Sequence, residues 1–211
     1  MPLPQFPHDK SIVGLGMSDR PAYAKILAER LSFTNTFFHQ EPFFDITAPL
    51  GSRTGTCDFV ISSEIFEHVA PPVERAFLGA FNLLKLGGHL ILTTPFVNAP
   101  DTVEHYPDLN DYRVLRFDEH AVVVNRTREG QYAVYENPRF HGVERPSLEM
   151  RIFGREALLK CLADAGFIDV HVLSEDVPEW GIVHKQSLSL PILATRPQLA
   201  AHTIQDDVAS A

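Results

Sequence analysis

Polar and titratable side chains follow one short apolar run of the sequence. The run, Phe59-Val60-Ile61, is followed directly by Ser62, Ser63 and Glu64, and His68 comes four residues later. Hydroxyl and carboxylate groups bind polar ligands, and an imidazole within hydrogen-bond reach can remove a proton from a substrate. We expect the run to be a buried strand whose end carries these groups to a ligand crevice. An ordinary polar loop, with its side chains in solvent, is the alternative.

Another candidate ligand-binding turn is GLGMSD, residues 14–19. Glycine has no side chain, so a ligand can approach the backbone closely at Gly14 and Gly16, and exposed amides there can bind a negative group. The spacing lacks the third glycine of the dinucleotide-binding fingerprint, because that position is Asp19. A tight turn that binds no ligand is therefore an equally good interpretation.

Composition restricts the class of partner. The chain has 211 residues and a net charge of −9, and because nucleic-acid binding needs clustered Lys and Arg, we expect no nucleic-acid partner. No apolar run approaches the roughly 20 residues of a membrane-spanning helix, and the N-terminus lacks a secretory pattern, so we expect a cytoplasmic protein without a membrane span. Cys57 and Cys161 have no cysteine or histidine at ligand spacing, which predicts buried thiols and no metal site.

Strand and helix patterns alternate along most of the chain. Strands are predicted at SIVGLG, FTNTFFHQ, FFDIT, DFVI, HLILTTPF, DVHVL and LSLPILAT. Apolar residues lie on one helix face in PAYAKILAERL and in the stretches 73–84 and 157–165. Gly87-Gly88 and Gly166 are the predicted ends of the last two helices. This alternation predicts an α/β domain with a mostly parallel sheet, and an antiparallel last strand is compatible with it.

The pattern predicts one domain, residues 11–198, between an irregular lead-in, 1–10, and a mobile tail, 199–211. The alternation lapses between about residues 97 and 152, which we interpret as an insertion over one end of the sheet. Within it, AVVVNRTREGQYAVYEN predicts a β-hairpin with Gly130 in its turn. The sequence leaves open whether the insertion closes over a substrate or pairs with a second copy of the chain in a homodimer.

The order of these segments resembles class I S-adenosylmethionine-dependent methyltransferases, specifically the type-11-like small-molecule group. The similarity runs from about residue 11 to 195, and its most specific part is 57–96, where CDFVISSEIFEHV precedes a helix and LLKLGGHLILTTPF. It implies a Rossmann-like, seven-stranded, mostly parallel sheet with the insertion after strand five. It also implies an enzyme that uses S-adenosylmethionine to methylate a small molecule. A sugar or glycan precursor is the suggested acceptor, because similar chains are encoded near glycosyltransferases.

The resemblance also assigns roles to individual residues. The positions that match donor-binding positions of the family are Gly14, Gly16, Ser18, Glu41, Asp45, Ile46, Ser62, Ser63 and Glu64. Among these, Asp45 and Ile46 match an acid and apolar pair near adenine, and Glu41 is the candidate for the acid that holds the ribose hydroxyls. The chain departs from the family at Val13, where many members have an acid before the glycine turn.

Methyl transfer to a hydroxyl group also needs a base. Histidine within hydrogen-bond reach can accept the proton, and the candidates are His68, His105 and His141. His105 belongs to EHYPDLNDY, a segment in which the family places acceptor-facing loops. Tyr106 and Tyr112 of that segment can pack against a sugar face or a sulfonium cation, or simply inside the protein.

Two other functions are compatible with the sequence. The glycine turn, which lacks the third glycine, suggests a catalytically degenerate domain of the same fold that serves binding or regulation. The glycine turn and sheet pattern together suggest a nicotinamide-dependent oxidoreductase, although the EHV and LLKLGGHL segments argue against that class.

Overall fold

The structure, a computed structural model, describes residues 2–118, 120–141, 147–184 and 188–198. Its α-helices are α1 Pro21–Arg30, α2 Glu74–Leu83 and α3 Arg155–Asp164. Its strands are β1 Asp9–Met17, β2 Leu31–Thr36, β3 Cys57–Ser63, β4 Leu84–Thr93, β5 Phe96–Val97, β6 Val103–Glu104, β7 Asp111–Phe117, β8 His120–Arg126, β9 Tyr132–Glu136, β10 Phe140–His141, β11 Ser147–Leu148, β12 Arg151–Gly154, β13 Ile168–Val172 and β14 Ile192–Thr195. The predicted tail, 199–211, lies outside the described residues.

Six of these strands form the central sheet, in the order β13-β14-β4-β3-β1-β2. β1 pairs in parallel with β2 and with β3, and β3 pairs in parallel with β4. β14 runs antiparallel to both β4 and β13. Val60, in the apolar run of β3, is fully buried. The mostly parallel sheet predicted from the alternation is therefore confirmed.

The predicted third strand, FFDIT, does not form. Residues 43–47 contribute one isolated parallel bridge, from Phe37 to Phe43, and the central sheet has six strands among the described residues, so the predicted count of seven is not confirmed. Asp45 turns the chain instead, because its Oδ1 accepts hydrogen bonds from the backbone N–H and the hydroxyl of Thr47 at 2.8 and 2.7 Å. The turn lies against α2, where a Cβ atom at Gly79 would come within 2.0 Å of the Ile46 carbonyl oxygen.

Helix α2 buries one face in the main core. The fully buried residues of that face are Ala76, Phe77, Ala80 and Leu83. The helix ends at Leu83, so the prediction that it continues to Gly87-Gly88 is wrong. Leu84 is itself fully buried and pairs with Cys57 of β3, which requires an extended chain at that point. Helix α3 ends as predicted, two residues before Gly166, whose φ is +101°.

The part of the chain between β4 and α3 forms smaller sheets. β7, β8 and β9 form an antiparallel sheet, and the predicted β8–β9 hairpin is confirmed, with Gly130 at φ +84° in its turn. β12 pairs in parallel with β5 and antiparallel with β6. These pairings bring Arg151 beside Glu104 and place residues 150–154 near the end of β4. Among the described residues, no helix is long and apolar enough to cross a membrane.

Candidate active site

A cavity of about 590 Å³ opens at the carboxyl ends of β1, β2 and β3. Ligands of open parallel sheets bind at this edge, and the volume falls in the range of roughly 300–1,000 Å³ that is usual for small-molecule sites. The lining comes from residues 17–18, 36–39, 44–47, 65, 68–72, 75, 112, 114, 147–148 and 150. The walls therefore combine the ends of the central strands with segments from the smaller sheets.

Three of the predicted donor-binding residues line this cavity: Ser18, Asp45 and Ile46. Ser18 follows β1 with a φ of +58°, and its backbone N–H donates to the Thr36 carbonyl at 2.7 Å. Both bonds from Thr47 to Asp45 end on Oδ1, so the second carboxylate oxygen can accept from a ligand hydroxyl. This wall thus offers a hydroxyl and a carboxylate beside apolar side chains.

Gly14 and Gly16 lie inside β1 and do not line the cavity. A Cβ atom at Gly14 would come within 2.2 Å of the Phe59 ring, and one at Gly16 within 1.8 Å of Asp19 Oδ2. Their missing side chains therefore make room for Phe59 and Asp19. This is a packing requirement, and a larger residue at either position would disturb the sheet.

The end of β3 does not face the cavity as its polar residues predict. Ser62 is fully buried, the Ser63 hydroxyl lies 3.0 Å from that of Thr93, and Glu64 accepts a hydrogen bond from Ser189 at 3.2 Å. The reason is that β3 stays in register with β4 through Ser63, so Thr93 at the end of β4 is the partner of the Ser63 hydroxyl, whereas the Ser62 hydroxyl has no hydrogen-bond partner among the described residues.

Glu41 also lies outside the lining of the cavity. Its side chain is exposed, and Oε2 accepts the backbone N–H of Phe43 at 2.9 Å. Asp45 is the acidic residue that borders the cavity after β2.

The turn after β3 carries a buried acid, Glu67, next to a histidine that lines the cavity, His68. Glu67 is fully buried, its Oε2 accepts the Thr94 hydroxyl at 3.0 Å, and burial raises the pKa of Glu67 to about 8. His68 lines the cavity, and its Nδ1 lies 2.9 Å from the Leu148 carbonyl oxygen. A carbonyl can only accept, so Nδ1 carries the proton and Nε2 has a free lone pair. Burial lowers the pKa of His68, which favours this neutral form.

His141 joins the same group from β10. Glu67 Oε1 lies 3.6 Å from His68 Nε2 and 3.6 Å from His141 Nδ1. Two of the three predicted histidine bases are therefore neighbours, although 73 positions separate them in the sequence. Glu67 was not among the predicted site residues, although its position next to His68 was a usable signal.

The whole fold is similar to that of a solved methyltransferase. The carbon methyltransferase of CurJ matches 92% of this chain and 50% of its own, with a TM-score of 0.54 and 17% sequence identity. This chain has a methyltransferase-like α/β fold. It spans half the length of the CurJ chain it matches. The resemblance seen in the sequence is thus confirmed at the level of the fold.

Other solved structures with this fold show weaker similarity. An S-adenosylmethionine-dependent methyltransferase from Clostridium acetobutylicum matches 90% of this chain and 86% of its own, with a TM-score of 0.49 and 13% identity. The sugar N-methyltransferase KedS8 from Streptoalloteichus matches 89% and 81%, also with a TM-score of 0.49 and 13% identity. No protein family model matches the chain, and no curated protein does.

His105 lies apart from the cavity of the methyltransferase fold. Its Nε2 is 2.9 Å from Glu149 Oε1, and neither residue is in the lining. Its neighbour Tyr106 is buried, and the Tyr106 hydroxyl accepts the Arg139 backbone N–H at 2.7 Å. Of the two predicted aromatic contacts, Tyr112 borders the cavity and Tyr106 packs in the protein.

Arg151 holds the turn that carries Glu67 and His68. Its fully buried guanidinium donates from one nitrogen to the carbonyl oxygens of Phe66 and Val69, at 3.0 and 2.6 Å. Its Nε donates to Glu104 Oε1 at 2.6 Å. The sequence gives no sign of this role, because the partners of Arg151 are more than 45 positions away.

Asp19 makes the stability of the methyltransferase fold depend on pH. Its buried carboxyl accepts the Tyr23 hydroxyl, its Oδ2 has no hydrogen-bond partner, and burial raises its pKa from 3.8 to about 6. The folded state thus holds a proton that the unfolded chain has already released between about pH 4 and pH 6. The free energy of unfolding should therefore fall by about 3 kcal/mol as pH rises through this window.

Asp19→Asn should remove this dependence, because the amide does not titrate. The measurement is urea denaturation of both proteins at a series of pH values from 4 to 6.5. The difference in stability between variant and wild type should grow as pH rises, and a constant difference would refute the assignment.

Proposed function

We propose that the protein is an S-adenosylmethionine-dependent methyltransferase that acts on a small molecule with a hydroxyl group, of the sugar type. The observation that carries the proposal is a cavity at the strand ends whose lining includes Ser18, Asp45 and Ile46 together with His68. In the class I methyltransferase fold, this arrangement provides a donor side and an acceptor side. The net charge of −9 also favours a small acceptor over nucleic acid.

The donor side fits an adenosyl group chemically. Phe37, Phe38 and Ile46 supply apolar surface, and Asp45 supplies a carboxylate that can accept from ribose hydroxyls. S-adenosylmethionine, when bound, supplies an activated methyl group on a positively charged sulfur. The task of the protein is then to align the acceptor and exclude water, which can contribute several kcal/mol through proximity.

Of the three predicted bases, His68 is the one that lines the cavity. The Leu148 carbonyl holds the His68 imidazole by Nδ1, so the Nε2 lone pair is the one that can receive the hydroxyl proton. Tyr112 and Arg75 border the same region. An aromatic ring and a guanidinium suit the apolar faces and hydroxyl groups of a sugar. Among the three predicted bases, we therefore assign the role to His68.

Binding of S-adenosylhomocysteine, the reaction product, tests the donor side. Calorimetric titration of the purified protein should show micromolar affinity. Asp45→Asn keeps an oxygen for Thr47 but loses the charge, so the affinity should fall by about 10-fold, equivalent to about 1.4 kcal/mol. Glu129→Ala, in the exposed hairpin turn, is the matched carboxylate control and should leave the affinity unchanged.

Two outcomes would change the proposal. A folded wild type that binds no S-adenosylhomocysteine would favour a degenerate domain of the same fold. A large loss in Glu41→Ala with none in Asp45→Asn would return the ribose-binding role to Glu41.

A further inference from the structure

Glu67, His68 and His141 offer three metal-ligating atoms in one place. These atoms all lie within 4.8 Å of one another, and Glu67 Oε1 is 3.6 Å from each of the two imidazole nitrogens. Two atoms that bind one zinc ion at about 2.1 Å in a tetrahedral arrangement lie about 3.4 Å apart. The carboxylate-to-imidazole separations are therefore close to those of ligands that share a cation.

A buried oxygen atom without a hydrogen-bond partner among the described residues lies at the centre of this group. The atom is Oε1 of Glu67, which is fully buried. A buried polar atom without a partner costs about 1–3 kcal/mol, and its presence calls for an explanation. His68 Nε2 and His141 Nδ1 each lie 3.6 Å from this oxygen, so a cation bound among the three atoms would satisfy it.

Surrounding residues already orient the ligands. The Leu148 carbonyl binds His68 Nδ1–H, which leaves the Nε2 lone pair free. The Thr94 hydroxyl binds Glu67 Oε2, which leaves Oε1 as the oxygen between the imidazoles. Outer partners of this kind fix the tautomer of a ligating histidine and the orientation of a ligating carboxylate in metal sites.

We propose that Glu67, His68 and His141 bind a divalent transition-metal cation of the zinc type. Two imidazoles and one carboxylate suit Zn²⁺ or Co²⁺, whereas Mg²⁺ and Ca²⁺ prefer oxygen ligands. His68 borders the cavity and the His141 side chain is 44% exposed, so a fourth position faces solvent or ligand. The expectation of no metal site rested on cysteine spacing. Residues 67 and 141 are too far apart in the sequence for a spacing pattern to indicate that they share a cation.

A bound cation would give His68 a second state, in which its imidazole is a metal ligand and no longer a base. A cation would occupy the same His68 Nε2 lone pair that the proposed proton transfer needs. Metal binding and proton acceptance at His68 therefore exclude each other. The binding test below uses no methyl donor and no acceptor, so its result is independent of the proposed methyltransferase activity.

Metal titration of the full chain tests the proposal. The protein is treated with EDTA and dialysed, then titrated with Zn²⁺ and Mg²⁺ by calorimetry and with Co²⁺ by visible absorption. We expect one Zn²⁺ per chain at micromolar affinity or tighter, visible bands from Co²⁺ in a low-symmetry nitrogen and oxygen site, and no Mg²⁺ binding. Glu67→Gln and His141→Ala should each weaken Zn²⁺ binding by at least about 10- to 100-fold.

Conservative variants and a control histidine separate loss of the metal ligands from loss of the fold. Glu67→Gln conserves size and the bond from Thr94, and His141 is half-exposed, so both variants should fold, as circular dichroism would check. His89→Ala removes an exposed histidine of β4 and should leave Zn²⁺ affinity unchanged. The absence of Zn²⁺ binding by the folded wild type would overturn the proposal. Wild-type Zn²⁺ affinity in both Glu67→Gln and His141→Ala would overturn it equally.

Discussion

Replacement of His68 by alanine should lower the rate of methyl transfer by about 100- to 10,000-fold, the usual contribution of a general base. The physical reason is that His68 lines the cavity and its Nδ1–H is held by the Leu148 carbonyl, which leaves the Nε2 lone pair free to accept a proton. The rate is measured as release of S-adenosylhomocysteine with a sugar acceptor on which the wild type is active. A chelator in the assay keeps metal ions off the imidazole.

Two further variants separate loss of the base from loss of structure. His68→Gln can still donate to Leu148 but cannot take a proton, so it should be as slow as His68→Ala. His89→Ala, an exposed histidine of β4, should retain the wild-type rate. Affinity for S-adenosylhomocysteine should stay near the wild-type value in all three. A His68→Gln enzyme with wild-type turnover would rule out His68 as the base.

Replacement of Arg151 by methionine should lower the free energy of unfolding by about 3 kcal/mol or more, because it removes three hydrogen bonds of a fully buried guanidinium, and hydrogen bonds to charged groups contribute about 1.5–3 kcal/mol each. The substitution removes the guanidinium donor from the carbonyl oxygens of Phe66 and Val69, of which Phe66 keeps the Val69 backbone N–H at 3.3 Å, and it removes the partner of Glu104. These carbonyls belong to the turn that carries Glu67 and His68. We therefore expect Arg151→Met to weaken ligand binding at the cavity as well as stability.

Urea denaturation with and without S-adenosylhomocysteine measures both effects. Lys160→Met is the matched control, because Lys160 forms an exposed ion pair with Asp164 at 2.6 Å within α3. Exposed pairs contribute little, so this variant should be as stable as the wild type. Equal stability of Arg151→Met and Lys160→Met would show that the buried guanidinium does not anchor the turn.

The sequence by itself determined the order and type of the main elements. Alternating short apolar runs and helical stripes predicted β1, β3, α2 and α3. Turn chemistry predicted the hairpin at Gly130 and the helix end at Gly166. These features depend on side-chain period and on backbone conformations within a few residues. Such information is local, so it is present in any short window of the chain.

Only the tertiary structure decided which residues face the cavity and which distant residues meet beside it. Glu67, His68 and His141 meet because β10 and the turn after β3 pack together, a contact between distant parts of the chain. Gly14 and Gly16 matched a ligand-binding turn, yet Phe59 and Asp19 occupy the space beside them. Burial and packing depend on neighbours across the sheet, and a local sequence pattern contains no record of those neighbours.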